Sequence, residues 1–202
     1  THRPDGHYTG GEYREQRELE QTHIILGYEG IARTAANYDA AKAMSTILGG
    51  GMSSRLFQEI REKRGLVYTI QTLQLNHAET GLFGIYAGTD PERVGEMMPV
   101  ICEEISKICE DGVTDTELNR AKAQMRAGFV MGRENMLARA NQQAKSLKYF
   151  GKTLDVGERL REIEAVNAED VRKAALQVFD AGKTPALAGM GRLESLEPLD
   201  TL

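Results

Sequence analysis

Two side chains flanking one glycine offer chemistry: Arg61 and Tyr68 stand seven residues apart with Gly65 between them. Leu56, Phe57 and Ile60 line one side of a helical pattern that starts near Ser53. Gly65 stops it, because glycine takes the left-handed conformation after a last helical turn without strain. The β-rich run that follows begins a strand at Val67. Arg61 on the last turn and Tyr68 at the strand's start therefore come near each other across a short connection. A guanidinium and a phenol so placed are donors suited to a peptide carbonyl or a developing oxyanion. A plainer account competes. Arginine near a helix C-terminus complements the helix dipole, and tyrosine is a common strand residue.

The remaining reactive residues form no self-sufficient centre. A helical zinc site needs two histidines four apart with a carboxylate nearby, and His2, His7, His23 and His77 nowhere have that spacing. Neither H-x-x-E-H nor its inverse occurs. His2 and His7 fall in an entry linker, His77 in a turn, and His23 on the less apolar face of a strand. Cys102 and Cys109 lie seven apart on a predicted helix, about 10 Å along its axis, too far to bridge. They suit the apolar face of a protein kept in a reduced, cytoplasmic setting. A G-x-S-x-G elbow is absent, and Gly49-Gly50-Gly51 follows a helix and lacks the lysine of a phosphate loop. The triple glycine is expected as a flexible corner between two helices.

The elements that must position Arg61 and Tyr68 are legible from periodicity. The chain has 202 residues with 25 Lys and Arg against 30 Asp and Glu, a net charge of -5 spread without a basic face. Nucleic acid and anionic membrane are therefore poor partners, and the longest apolar runs are far too short to span a bilayer. Residues 1–10 read as a linker and 11–202 as a single domain. A strand is expected over 11–17, and a second carries Thr22, Ile24, Leu26 and Tyr28 on one face. A helix follows from Asn37, then a hairpin of strands over 67–75 and 82–87, then a helix opened by Asp90-Pro91. Thr114 and Glu117 form a capping box that starts a very long helix reaching Leu147, bent at Gly128 and Gly132. Met131, Met136 and Tyr149 belong to faces that suit core or interface, and base rates favour the core. Two shorter helices, over 156–166 and from Asn167, precede a last strand over 185–190. Strands and helices do not alternate singly, so a doubly wound parallel sheet is excluded. The fold class is α+β, two-layer, with helices packed on one face of a mainly antiparallel sheet.

The run Gly49-Gly50-Gly51-Met52-Ser53-Ser54-Arg55-Leu56-Phe57-Gln58-Glu59-Ile60-Arg61-Glu62-Lys63-Arg64-Gly65-Leu66-Val67-Tyr68 resembles the C-terminal-domain signature of pitrilysin (insulinase) family zinc peptidases. The likeness is nearest to the bacterial relatives of mitochondrial processing peptidase. Residues 19–30, 80–86 and 116–122 resemble that domain's early strand, hairpin and long-helix opening. The resemblance implies the LuxS/MPP-like metallohydrolase fold and one of two lobes facing each other across a cavity. It implies that zinc and H-x-x-E-H belong to the N-terminal lobe, and that this chain holds no cofactor of its own. Arg61 and Tyr68 match the Arg–Tyr pair of the second lobe and would grip the substrate backbone. Implied partners are a zinc-bearing N-terminal lobe, of the same or a paired polypeptide, a peptide substrate, and a second copy of the parent enzyme. Catalysis by this chain alone is not expected, whether it is an excised lobe or a separate subunit. A non-catalytic structural subunit of a peptidase-like complex and a small-molecule binding domain are the competing functions. Metal analysis of the isolated chain is expected to find no stoichiometric zinc; one tightly held equivalent would overturn this division of labour.

Overall fold

The structure, a computed structural model, describes residues 6–199. His2 and the first five residues of the expected linker lie outside the described residues. Five strands form one sheet: β1 (Gly11–Gln16), β2 (Thr22–Gly30), β3 (Val67–Asn76), β4 (Gly81–Thr89) and β5 (Ala186–Gly191). Their order is β1-β5-β2-β4-β3. Only the edge pairing of β1 with β5 is parallel, and the other three pairings are antiparallel. The sheet is mainly antiparallel, as the hairpin pattern and the absence of single strand-helix alternation predict.

Side chains alternate across the sheet as the period of two demands. Ile24, Leu26, Phe83, Ile85, Ala87 and Leu187 enter the core, whereas Ile25, Leu73 and Leu75 are exposed on the other face. The helices are α1 (Tyr38–Gly49), α2 (Val94–Glu110), α3 (Asp115–Met131), α4 (Met136–Phe150), α5 (Val156–Ala165) and α6 (Ala168–Val178). A π-helix spans Phe57–Lys63, and a 3-10 turn over Pro91–Arg93 leads into α2. Asp90 caps that turn, its carboxylate accepting from the Glu92 amide at 3.0 Å.

Helix α1 is the most buried. Ala40, Ala41, Ala43, Met44, Ile47 and Leu48 all lie in the core, and its alanines let α6 approach through Ala174 and Ala175. Phe179, just beyond α6, meets the rings of Tyr28 and Phe83 edge-on at 4.9 and 5.4 Å between centroids. Each fully buried Leu, Ile, Met or Phe side chain contributes roughly 1.5–3 kcal/mol against exposure. Buried Arg159 of α5 forks onto Asp39 in the first turn of α1 and reaches Glu162 at 2.9 Å, which ties the two helices by charge.

Three expectations require correction. The long helix over 114–147 is two helices: α3 ends at Met131, and Asn135 starts α4 by accepting from the Ala138 amide at 3.0 Å. An asparagine with a side-chain acceptor ends the continuous pattern where glycine was expected only to bend it, and Gly128 stays inside α3. Met131 and Met136 are 67% and 87% exposed rather than in the core; they flank the turn between α3 and α4. The triple glycine is a corner, but its cause is close approach: a Cβ on Gly49 would sit 2.8 Å from the Thr72 amide nitrogen. Asn135→Ala is expected to lower the unfolding free energy by about 1 kcal/mol in urea titrations. An unchanged midpoint would mean that the cap does not hold the break.

Candidate functional site at the turn from the π-helix to β3

The connection from the π-helix to β3 departs from regular geometry at both ends. On the helical side, the widened turn holds Ile60 fully buried and leaves Arg61 exposed. π-Turns are rare and recur at functional positions. Gly65 follows at φ +62, as its place after the last turn predicts. Its amide donates to the Arg61 carbonyl at 3.1 Å, and the Leu66 amide reaches back to the Ile60 carbonyl at 2.9 Å. That second bond spans one residue more than in an ordinary glycine-capped α-helix.

On the strand side, Val67 pairs with Thr89 and Thr69 with Gly88, so Tyr68 is the extra residue of a β-bulge. A bulge bends its strand and re-aims the unpaired side chain. Val67 and Ile70 are both buried, three apart where a regular strand would space them by an even number, and Tyr68 is 55% exposed. This spacing was the available sequence signal for the bulge. Thr89, itself buried, fixes the entry to the strand by donating its hydroxyl to the Leu66 carbonyl. Arg93 also donates to the Gly65 carbonyl, at 3.3 Å.

The structure therefore brings Arg61 and Tyr68 to one short connection, on its two irregular ends. The Arg61 guanidinium lies 4.9 Å from the centroid of the Phe57 ring, and it makes no side-chain hydrogen bond or ion pair among the described residues. Its N–H groups are free to meet an acceptor. The Tyr68 hydroxyl is likewise uncommitted among the described residues.

A supporting residue that sequence reasoning passed over is Arg55, at the foot of the π-helix. Its Nε and terminal nitrogen donate to the two carboxylate oxygens of Glu117 at 2.7 and 3.0 Å, and it also donates to the Gly112 carbonyl at 2.8 Å. Glu117 simultaneously completes the capping box of α3, accepting from the Thr114 amide at 2.8 Å. Both residues were visible in the sequence as parts of separate motifs. Their meeting across 62 positions was not. Burial alone raises the Glu117 pKa, but hydrogen bonds from Arg55 and Thr114 outweigh it and hold the carboxyl at about 2, against an ordinary 4.5.

Other reactive groups are otherwise engaged. His23 shares a 2.9 Å hydrogen bond with the Tyr86 hydroxyl on the open face of the sheet. Burial pushes the thiols of Cys102 and Cys109 up, away from the reactive thiolate. Among the described residues, no group of three or more His, Cys, Asp or Glu side chains is placed to hold a metal ion, and no helix is long and apolar enough to cross a membrane.

Residues 2–125, which include Arg55, Arg61, Tyr68 and Glu117, match the peptidase M16 inactive domain. The chain belongs to the M16 peptidase family. It is that family's C-terminal, inactive domain, the pitrilysin-family domain that the segment from Gly49 to Tyr68 resembles. An uncharacterised zinc protease of Streptomyces coelicolor is 41% identical over 178 residues, 88% of this chain and 38% of that protein. The M16 domain thus spans well under half the length of this curated relative. Two solved structures share the fold: an M16 inactive domain from Pseudomonas fluorescens and a chain of complex III from Candida albicans. The first has a TM-score of 0.79 at 24% identity, covering 94% of this chain and 45% of that one. The second has a TM-score of 0.84 at 21% identity, covering 95% and 48%.

The depressed Glu117 pKa fixes a pH window. Its folded value lies below its unfolded one, so the bridge contributes in full above about pH 4.5 and is lost as pH falls through about 2. Denaturant midpoints are expected to drop across that window in the native chain, and less steeply in Glu117→Gln. Parallel pH profiles would show that the bridge carries no such share.

Proposed function

We propose that this M16 domain is the substrate-binding lobe of a two-lobed zinc metalloendopeptidase and holds an extended peptide through Arg61 and Tyr68. One observation carries the proposal: a π-turn and a β-bulge on either side of Gly65 leave a guanidinium and a phenol hydroxyl exposed and uncommitted. Irregular backbone of this kind persists where surrounding structure over-determines it, and it clusters at binding and catalytic positions. The zinc protease named among the relatives supports a peptidase context, as does the match to a family domain described as inactive.

Among the described residues no His, Cys, Asp or Glu group suits zinc, and in this reading metal chemistry belongs to an N-terminal lobe, in the same or a paired polypeptide. Zinc there supplies a polarised carbonyl and an activated water. This domain's task is positional. Arg61 donates to backbone carbonyls of the peptide, and its planar, permanently charged fork fixes their direction better than an ammonium would. Tyr68 offers a hydroxyl to the carbonyl oxygen as negative charge develops there. Phe57 beneath Arg61 limits the range of the guanidinium, which reduces the ordering cost of binding.

In a preparation containing this domain together with its zinc-bearing lobe, Tyr68→Phe is expected to lower kcat/KM for peptide cleavage by roughly 100-fold, the usual loss for one oxyanion donor. Arg61→Ala is expected to act more on KM, by ten-fold or more. Both variants should unfold at the native denaturant midpoint, because both side chains are exposed. Unchanged cleavage in both would sink the assignment. Absence of cleavage by any combination of lobes would favour a structural subunit instead.

A further inference from the structure

A cleft of about 500 Å³ opens among α1, α3, α4 and α5, and neither Arg61 nor Tyr68 lines it. Four basic side chains do, Arg33, Lys42, Lys145 and Arg159, and no Asp or Glu lines it. In a chain of net charge -5, that is a local reversal of sign. Arg159 is already neutralised by Asp39 and Glu162, which face a neighbouring cleft. The other three are not. Arg33 rests on aromatic faces, 4.1 Å from the Tyr38 ring centroid and 4.9 Å from that of Phe150, with no carboxylate partner among the described residues.

Lys42 is the most telling. It sits in the middle of α1 between the buried residues Ala41 and Ala43. Its ammonium makes no hydrogen bond or ion pair among the described residues. Burial, and then the charge of Arg159, push its pKa down. Asp39 offsets part of that shift without pairing directly with the ammonium. A half-buried cation with no direct partner is a place where a counter-charge can arrive from outside. Across the cleft, Oε1 of Gln142 is a buried acceptor with no donor. Tyr38, Phe129 and Tyr149 add aromatic wall. The volume and the mixture of apolar wall with a few convergent polar groups are those of a small-ligand site, large enough for one or two peptide residues.

We propose that this cleft binds a peptide carboxylate, with Lys42 and Arg33 supplying the charge and the aromatic wall taking the adjoining side chain. The charges call for an anion. That the anion is a carboxylate carried by a peptide rests on the function proposed above. The buried Gln142 oxygen suits the amide N–H that precedes a peptide's last residue.

The test uses the 202-residue chain and calorimetric titration with N-acetyl-Ala-Phe as free acid and as amide. The acid is expected to bind at least ten-fold more tightly than the amide. Lys42→Met should reduce acid binding at least ten-fold while its unfolding midpoint stays level or rises, since a half-buried cation without a direct partner has been removed. Arg33→Gln should weaken the acid in the same direction. N-acetyl-Glu-Phe amide, whose only carboxylate is on the side chain, distinguishes the source: affinity equal to that of the free acid assigns the site to an acidic side chain, and weaker binding assigns it to the chain terminus. Equal binding of acid and amide, no acid binding at millimolar concentration, or undiminished binding by Lys42→Met would each overturn the proposal. Lys173→Met, on α6 and outside both the cleft and the Arg61–Tyr68 turn, should bind the acid as the native chain does; because the readout is binding that depends on Lys42 and not peptide cleavage, failure at this cleft is read separately from failure at the turn.

Discussion

Burial of four apolar side chains, Leu56, Ile60, Leu66 and Val67, is the constraint on which the candidate site depends. They lie on both sides of Gly65, and all must enter the same core. With Val67 paired to Thr89, Val67 and Ile70 both enter the core although they are three apart, which a regular strand does not allow. The chain widens one turn, passes Gly65 at positive φ, and bulges at Tyr68. Arg61 and Tyr68 face solvent because their neighbours must not. Substituting Leu56, Ile60 or Leu66 by alanine would disturb the site indirectly, at a cost of about 2–5 kcal/mol.

Charge completes what packing begins. The Arg55–Glu117 bridge locks the foot of the π-helix to the start of α3, and the same carboxylate closes the capping box, so one side chain sets two elements. The Asp39–Arg159 pair joins α1 to α5 in the same way. Both pairs are mostly buried and well hydrogen-bonded, the condition under which removing one partner is strongly destabilising. Lys42, a few residues from Asp39, is the exception to this pairing, and its isolation gives the neighbouring cleft its sign.

Much of the fold was legible because its signals are local. The alternation through Ile24 and Leu26, the capping box at Thr114, the Asn167 cap, and the left-handed stop at Gly65 each depend on a few adjacent residues. The break at Asn135 was local too, but the helical pattern on both sides hid it, since Met136 and Leu137 prolong the apolar repeat while standing exposed. Gly49 shows the opposite limit. Its need for glycine comes from Thr72, a contact with another element that no window around the glycine contains.

The sequence by itself determined that Arg61 and Tyr68 would stand on the two ends of one short connection, because a helix stopped by glycine is followed at once by a strand. It also determined the family, through motifs carried by continuous segments. Only the tertiary structure decided that the helix would be a π-helix and that Tyr68 would occupy a bulge. It alone joined Arg55 to Glu117 and gathered Arg33, Lys42 and Lys145 around one cleft. These outcomes come from competition among distant side chains for one core and one set of counter-charges, and sequence spacing does not encode its result.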